Sequence, residues 1–225
     1  MQIAIIAKEP IPGRVKTRLC PPFSPVEAAS LAEASLRDTL RAVRATPAVR
    51  HVLVLDGRPG PWIPPGFDVV AQRGHDLSQR LSAAFTDCVS TCDEPVVLVG
   101  MDTPQMTSGM LLDASDRLAA DGADAGSRRA VIGPADDGGF WLIALSHVDP
   151  LVFDGVRMST STTGRDQIAQ LHRRGFDVRF TRSLRDVDTA DDAAAAAAEA
   201  PSSDFAACLA GLTGSAERAE LGAHV

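Results

Sequence analysis

Tyrosine is missing from all 225 residues, and aromatic side chains make up only 4% of the chain. No step of its chemistry can therefore depend on a phenol hydroxyl. Cations are also in the minority: 22 Lys and Arg face 29 Asp and Glu, for a net charge of −7 and a pI near 5.2. That balance argues against a nucleic-acid partner, because duplex binding draws on many Lys and Arg contacts spread over one face. The four cysteines, Cys20, Cys88, Cys92 and Cys208, form no C-x-x-C pair and no framework spacing, so reduced thiols are expected. Cys88 and Cys92 fall four apart on an expected helix, but no further His or Cys is clustered there to complete a zinc site. No apolar run approaches transmembrane length. The first one, Ile3 to Ala7, is far shorter than a signal-peptide core and is followed by positive charge, so a cytoplasmic protein with no membrane span is expected. The chain has no internal repeat. It also lacks the common phosphate fingerprints: Val15 precedes Lys16-Thr17 where a Walker A loop needs Gly, Ile11 stands at the distal Gly position, and G-x-G-x-x-G is absent.

What is present points to one α/β domain. Hydrophobic residues at 45% suffice for a sizeable core. Ile3 to Ala7 is short and Ile-rich, which fits a buried strand. It runs into a loop holding Pro10, Pro12 and Gly13 with four cations, Lys8, Arg14, Lys16 and Arg18, and only Glu9 against them. In an acidic chain such a local concentration suggests an anion site, and phosphate is the obvious anion. Open α/β sheets present phosphate sites at the carboxyl ends of their strands. The alternative is a solvated charged face.

Along the chain, Ser24 with Glu27 is a capping-box signature for a helix over Val26 to Val43. Strands are expected at Arg50 to Asp56 and Phe67 to Ala71, and a helix at Leu77 to Val89. Pro95 to Gly100 is a near-continuous apolar strand, followed by a helix capped at Thr107 or Ser108 and running through Leu118. Val131-Ile132 leads into the turn Gly133 to Gly139, and Phe140 to Leu145 is a further buried strand. A helix over Gly164 to Arg174, a strand over Asp177 to Thr181 and an alanine-rich helix from Ala190 complete the pattern. Strands alternating with helices imply a mostly parallel, doubly wound sheet. Residues 1–212 form the expected domain, and 213–225 an expected flexible tail.

Acids at strand ends carry the expected chemistry. Asp102 follows directly on a buried strand, at the same sheet edge as the cationic loop. A carboxylate beside a phosphate cradle suits Mg²⁺ or Mn²⁺, which prefer oxygen ligands and bridge to phosphate oxygens; the rival role is a helix cap. Asp136-Asp137-Gly138-Gly139 is a second acidic turn, suited to a metal shell, to a general base or to an ordinary Asp-Gly turn. Asp188 either completes a metal site or caps the alanine-rich helix with Asp191 as its N3 acid.

IAKEPIPGRVKTRL, QRGHDLSQR, GMDTP, GPADDGGFWLIAL and DVDTADD, in that order over residues 2 to 192, resemble a family catalogued as a domain of unknown function, DUF2064 or "transferase 1". This family is similar to the GT-A nucleotide-diphospho-sugar transferases, with relatives among the molybdenum-cofactor and 2-phospholactate guanylyltransferases. The resemblance implies a single-domain, Rossmann-like three-layer α/β/α sandwich. It implies that Ala7, Lys8, Pro12, Gly13, Arg14, Lys16, Arg18 and Arg80 bind nucleotide and phosphate. Asp102 would be the metal-binding Asp of a DxD-like position, and Asp188 a further metal contact. Asp136, Asp137 and Lys16 would be catalytic, while Gly138, Gly139 and Trp141 would face donor or acceptor. Two departures stand out. Phe140 occupies a position where the family usually has Tyr, and Ser78 one where it has Gly.

The expected function is a glycosyltransferase dependent on Mg²⁺ or Mn²⁺, using a nucleoside-diphosphate sugar and a small-molecule acceptor. The absence of a Gly-rich LxAGxGxR loop favours this over nucleotidyl transfer from a nucleoside triphosphate. A non-catalytic nucleotide-binding module is the third reading. Base, sugar, acceptor, stereochemical outcome and oligomeric state are not encoded in any motif.

Overall fold

A computed structural model of the chain describes residues 1–119 and 127–222, the last eight as backbone alone. Seven strands are formed by Gln2–Lys8 (β1), Arg50–Asp56 (β2), Asp68–Ala71 (β3), Val96–Val99 (β4), Arg129–Pro134 (β5), Phe140–Leu145 (β6) and Asp177–Phe180 (β7). Six α-helices span Pro25–Arg44 (α1), Leu77–Thr91 (α2), Ser108–Ala119 (α3), Thr163–Arg173 (α4), Ala190–Glu199 (α5) and Asp204–Gly222 (α6).

The strands make one sheet in the order β3-β2-β1-β4-β6-β5-β7. Every pairing is parallel except those of β6, which runs antiparallel to both β4 and β5. The mostly parallel sandwich expected from the sequence is thus the observed architecture. Its central strands are buried on both faces, and residues alternate between them with the period of two that a strand imposes. Ile3, Ile5, Val97 and Val99 join Leu36 and Leu40 of α1 and Leu111 of α3 in one core. Ala4, Val96 and Leu98 join Leu81 and Phe85 of α2 and Leu171 of α4 in the other. Each fully buried Leu or Ile contributes about 1.5–3 kcal/mol. Outside α1 a third cluster, built on Leu31, Val187, Ala196 and Phe205, fixes α5 and α6.

Local signals decide the helix starts. The Ser24 hydroxyl accepts the Glu27 N–H at 3.3 Å and the Glu27 carboxylate accepts the Ser24 N–H at 2.8 Å, as the capping box requires. At α5 the box is set by Thr189 and Asp192, one residue beyond the Asp188 and Asp191 pairing considered above. Strand β5 is longer than expected and takes in Gly133 and Pro134, because these pair with Leu142 and Phe140 of β6. The four cysteines are free thiols, and burial pushes the Cys88 thiol up to about 11. None of the described helices is long and apolar enough to cross a membrane. The expectation for 213–225 falls largely outside the described side chains.

Candidate functional site

A cavity of about 880 Å³ opens at the carboxyl ends of β1, β2 and β4. From β1 the chain winds outward to β2 and β3, then returns to β4 on the other side of β1. Such a reversal leaves a crevice that no connection covers, and open α/β sheets bind ligands there.

The cationic loop forms one wall. Glu9, its only acid, is turned away and accepts the Arg58 N–H at 2.8 Å. Buried Val15 and Leu19 anchor the loop from beneath. Lys8 and Arg14 line the cavity, and their side chains form no ion pair or hydrogen bond among the described residues. Lys16 has φ 49° and ψ 35°, a left-handed backbone that a residue bearing a Cβ seldom adopts. Its side chain is only 8% exposed, and the ammonium lies 2.7 Å from Asp102 Oδ1 and 3.7 Å from Asp188 Oδ1 while donating to the Val187 carbonyl. Arg18, largely exposed, reaches Asp188 Oδ2 at 3.0 Å.

The opposite wall is acidic. Asp102 leaves β4 as expected, and its carbonyl accepts the Val187 N–H at 3.0 Å, stitching the strand end to the turn that carries Asp186 and Asp188. Asp186 also faces the cavity. Burial, then the charges of Asp102 and Asp137, raise its pKa to about 7 against the pull of Lys16. Asp137 lines the cavity and braces itself by accepting the Gly139 N–H at 2.8 Å. Asp136 does not line it: its carboxylate takes the Ser183 hydroxyl at 2.8 Å and Arg185 at 3.4 Å.

Beyond the cationic loop, Asp56 ends β2 and pairs with Arg80 at 2.7 Å. Arg80 also donates to Gln72 at 3.2 Å, and Gln72 in turn donates to the carbonyls of Ala7 and Val54. This chain of contacts stiffens the floor between β1, β2 and the start of α2.

Of the residues singled out in the sequence, Ala7, Lys8, Arg14, Lys16, Arg18, Arg80, Asp102, Asp137, Gly139, Trp141 and Asp188 come together around one cavity. Pro12, Gly13, Asp136 and Gly138 lie off its lining. Trp141 belongs chiefly to the core; it is 2% exposed and its indole N–H donates to the Arg182 carbonyl at 3.1 Å. Asp56, His75 and Asp186 were not anticipated at the cavity. The rule that found Asp102, an acid directly after a buried apolar strand, also applies to Asp56.

The donor set around the Lys16 ammonium is all oxygen, two carboxylates and a carbonyl, which is the chemistry Mg²⁺ or Mn²⁺ accepts. No group of three or more His, Cys, Asp or Glu that could hold a metal ion exists among the described residues. The two carboxylates that meet the ammonium, Asp102 and Asp188, match in number the magnesium pattern in which one or two carboxylates are supplemented by water and phosphate oxygens.

Residues 32–160 match the family described as an uncharacterized protein conserved in bacteria, DUF2064. The chain belongs to the DUF2064 family. The matched stretch carries Asp56, Arg80, Asp102 and Asp137, whereas the cationic loop and the turn with Asp188 lie outside it. No protein of curated function matches this DUF2064 chain. Among solved structures, a candidate nucleotide-diphospho-sugar transferase from Desulfovibrio desulfuricans G20 is 28% identical, with a TM-score of 0.74 over 84% of this chain and 82% of the other. The 4-diphosphocytidyl-2C-methyl-D-erythritol synthase fold is also shared, at 12% identity and a TM-score of 0.57 over 88% and 98%. The same synthase from Anaerococcus prevotii DSM 20548 gives 11% and 0.51 over 87% and 94%.

Proposed function

We propose that this DUF2064 protein is a metal-dependent glycosyltransferase that takes a nucleoside-diphosphate sugar. The observation that carries the reading is one cavity in which the unpaired cations Lys8 and Arg14 stand beside the carboxylates of Asp102 and Asp188. Two free cations want a polyanion, and two carboxylates want a cation; a diphosphate with its divalent ion meets both demands. The 28% identical structure from Desulfovibrio, described as a nucleotide-diphospho-sugar transferase candidate, supports the same class.

In this reading Asp102 and Asp188 hold Mg²⁺ or Mn²⁺, which supplies charge neutralisation at the diphosphate. Lys8, Arg14 and Arg18 bind the phosphate oxygens and stabilise the negative charge that grows on the departing nucleotide. The acceptor hydroxyl oxygen forms a bond to the anomeric carbon while the bond from that carbon to the diphosphate oxygen breaks, and the leaving oxygen keeps the electron pair. Asp137, facing the cavity, receives the hydroxyl proton. Asp136, held by Ser183 and Arg185, has no part in that transfer. Met158, Ser159, Thr160 and Ser161 line the cavity, and this side is the one assigned to the acceptor.

Thermal unfolding against nucleotide sugars and nucleoside triphosphates, each with and without Mn²⁺ or Mg²⁺, tests the assignment. A ligand at a hundred times its dissociation constant adds about 2.7 kcal/mol, a rise of about 5–10 °C for a chain of this size. The expected result is metal-dependent stabilisation by a nucleotide sugar. Stabilisation by a triphosphate alone would transfer the assignment to nucleotidyl transfer.

A further inference from the structure

The Lys16 ammonium stands where the cation is needed. It forms an ion pair with Asp102 Oδ1 at 2.7 Å, donates a hydrogen bond to the Val187 carbonyl and lies 3.7 Å from Asp188 Oδ1. Asp102 and Asp188 are the carboxylates assigned above to the divalent ion. An ammonium 2.7 Å from Asp102 Oδ1 and a divalent cation bonded to the same carboxylate would be like charges in contact, so the two compete for that oxygen. Lys16 is held there firmly: the side chain is 8% exposed and the backbone is left-handed. Backbone strain of this kind persists where surrounding contacts over-determine it, and it collects at ligand clamps and switches.

We propose that Lys16 is a built-in counter-ion that keeps the divalent cation off Asp102 and Asp188 until a diphosphate draws its ammonium away. This inference rests on the cation-binding reading of the site. Lys8 and Arg14, unpaired and facing the same cavity, bring the diphosphate to the lysine. Its phosphate oxygens then give the ammonium a new partner and free both carboxylates. Cation and diphosphate consequently bind with positive coupling, and linkage makes that coupling reciprocal. Arg18 is no such barrier, because it is 73% exposed and meets only the outer oxygen of Asp188. The arrangement also keeps the protein from binding divalent ions when no donor is present.

The test is a Mn²⁺ titration, read from the electron paramagnetic resonance signal of the free ion, on the wild-type protein and Lys16→Met. Each is measured alone and with UDP or GDP, after subtracting Mn²⁺ held by the nucleotide in solution. Wild type alone should bind Mn²⁺ weakly, and UDP or GDP should tighten binding by about tenfold or more, within the usual range of coupling. Lys16→Met should bind Mn²⁺ about tenfold more tightly than wild type without nucleotide and gain little from adding one. Equal Mn²⁺ affinity of the two proteins without nucleotide, with nucleotide tightening both, overturns the competition and leaves the site assignment standing. Mn²⁺ binding by neither protein, when UDP or GDP still raises the unfolding temperature, overturns the two-carboxylate assignment itself. If Lys16→Met does not fold, the wild type decides alone: a Mn²⁺ affinity indifferent to nucleotide refutes the proposal.

Discussion

Asp136 and Asp137 are neighbours in sequence and opposites in placement. Backbone geometry separates them: β5 shifts register at Gly133 and Pro134, and Ala135 bridges to Leu184, which turns Asp136 toward Ser183. Asp137 is left facing the cavity. Asp137→Asn is therefore expected to lower kcat by about 10²–10⁴, the usual worth of a positioned general base, while Asp136→Asn stays within a few-fold of wild type. Steady-state kinetics of the two variants, once a donor is known, decides between them, and the reverse ranking would transfer the role to Asp136. Asp102→Asn should abolish metal-dependent turnover without loss of the fold, checked by retention of the unfolding temperature. At this scale the sequence was legible for Asp102, since a carboxylate directly after an apolar strand must emerge at the sheet edge. It was not legible for the choice between Asp136 and Asp137, because a side chain's direction out of a turn depends on a bulge and a bridge made with distant residues. The Asp188 role was ambiguous for a related reason: Thr189 competes for the helix cap and takes it, which leaves Asp188 free to meet Lys16 and Arg18.

Gly138 acts through two elements rather than through the cavity itself. Gly138 has φ +88°, and a Cβ there would lie 2.2 Å from the Ser161 carbonyl oxygen. The Gly138 carbonyl accepts the Gly164 N–H at 2.8 Å, so the turn after β5 is fastened, backbone to backbone, to the first turn of α4. That fastening sets where Ser159, Thr160 and Ser161 stand on the cavity rim. Gly138→Ala should cost at least about 2 kcal/mol, because unfavourable φ and a backbone clash add and neither can be relieved by a side-chain rotation. The drop in unfolding temperature would be about 4–8 °C. Gly13 is the control. Its φ is +76°, but a Cβ there meets nothing within 4 Å, so Gly13→Ala should lose only about 1 kcal/mol of backbone preference. Equal losses in the two variants would show that φ alone matters and that the 138–164 contact does not. The sequence led to the expectation that Gly138 faces donor or acceptor; it did not reveal that the backbone approaching it is the chain's own.

Across the whole molecule, a mostly parallel sheet was legible because buried runs alternate with helical patterns along the chain, whereas the order of its strands was not. The reversal of β6 was not, since an apolar run such as Phe140 to Leu145 reads the same in either direction. Past β6 the backbone ladders are joined by a side-chain cluster. Asp149, 7% exposed, follows β6 and gathers Arg174 at 2.8 Å, Arg128 at 2.9 Å and the Leu151 N–H at 3.0 Å, joining the end of α4 to the approach to β5. Arg128 also stacks on Phe176 at 4.7 Å. Burial alone would raise the Asp149 pKa, but the Arg174 guanidinium, the Leu151 N–H and Arg128 together outweigh it and hold the carboxyl below its ordinary value. A carboxyl depressed in the folded state stabilises that state at every pH above its unfolded value of about 3.9, and the contribution is lost as pH falls from there through the folded value. Asp149→Asn should therefore unfold at lower temperature than wild type at pH 7, by about 2–8 °C for a loss of about 1–2 kcal/mol, since both arginines remain partly solvated. The gap should narrow below about pH 4 and close in stronger acid, where the wild-type carboxyl is itself protonated. Unfolding temperatures of the two proteins measured from pH 7 down to the acid limit test this, and a gap that stays constant across the range would mean that Asp149 acts through shape rather than charge.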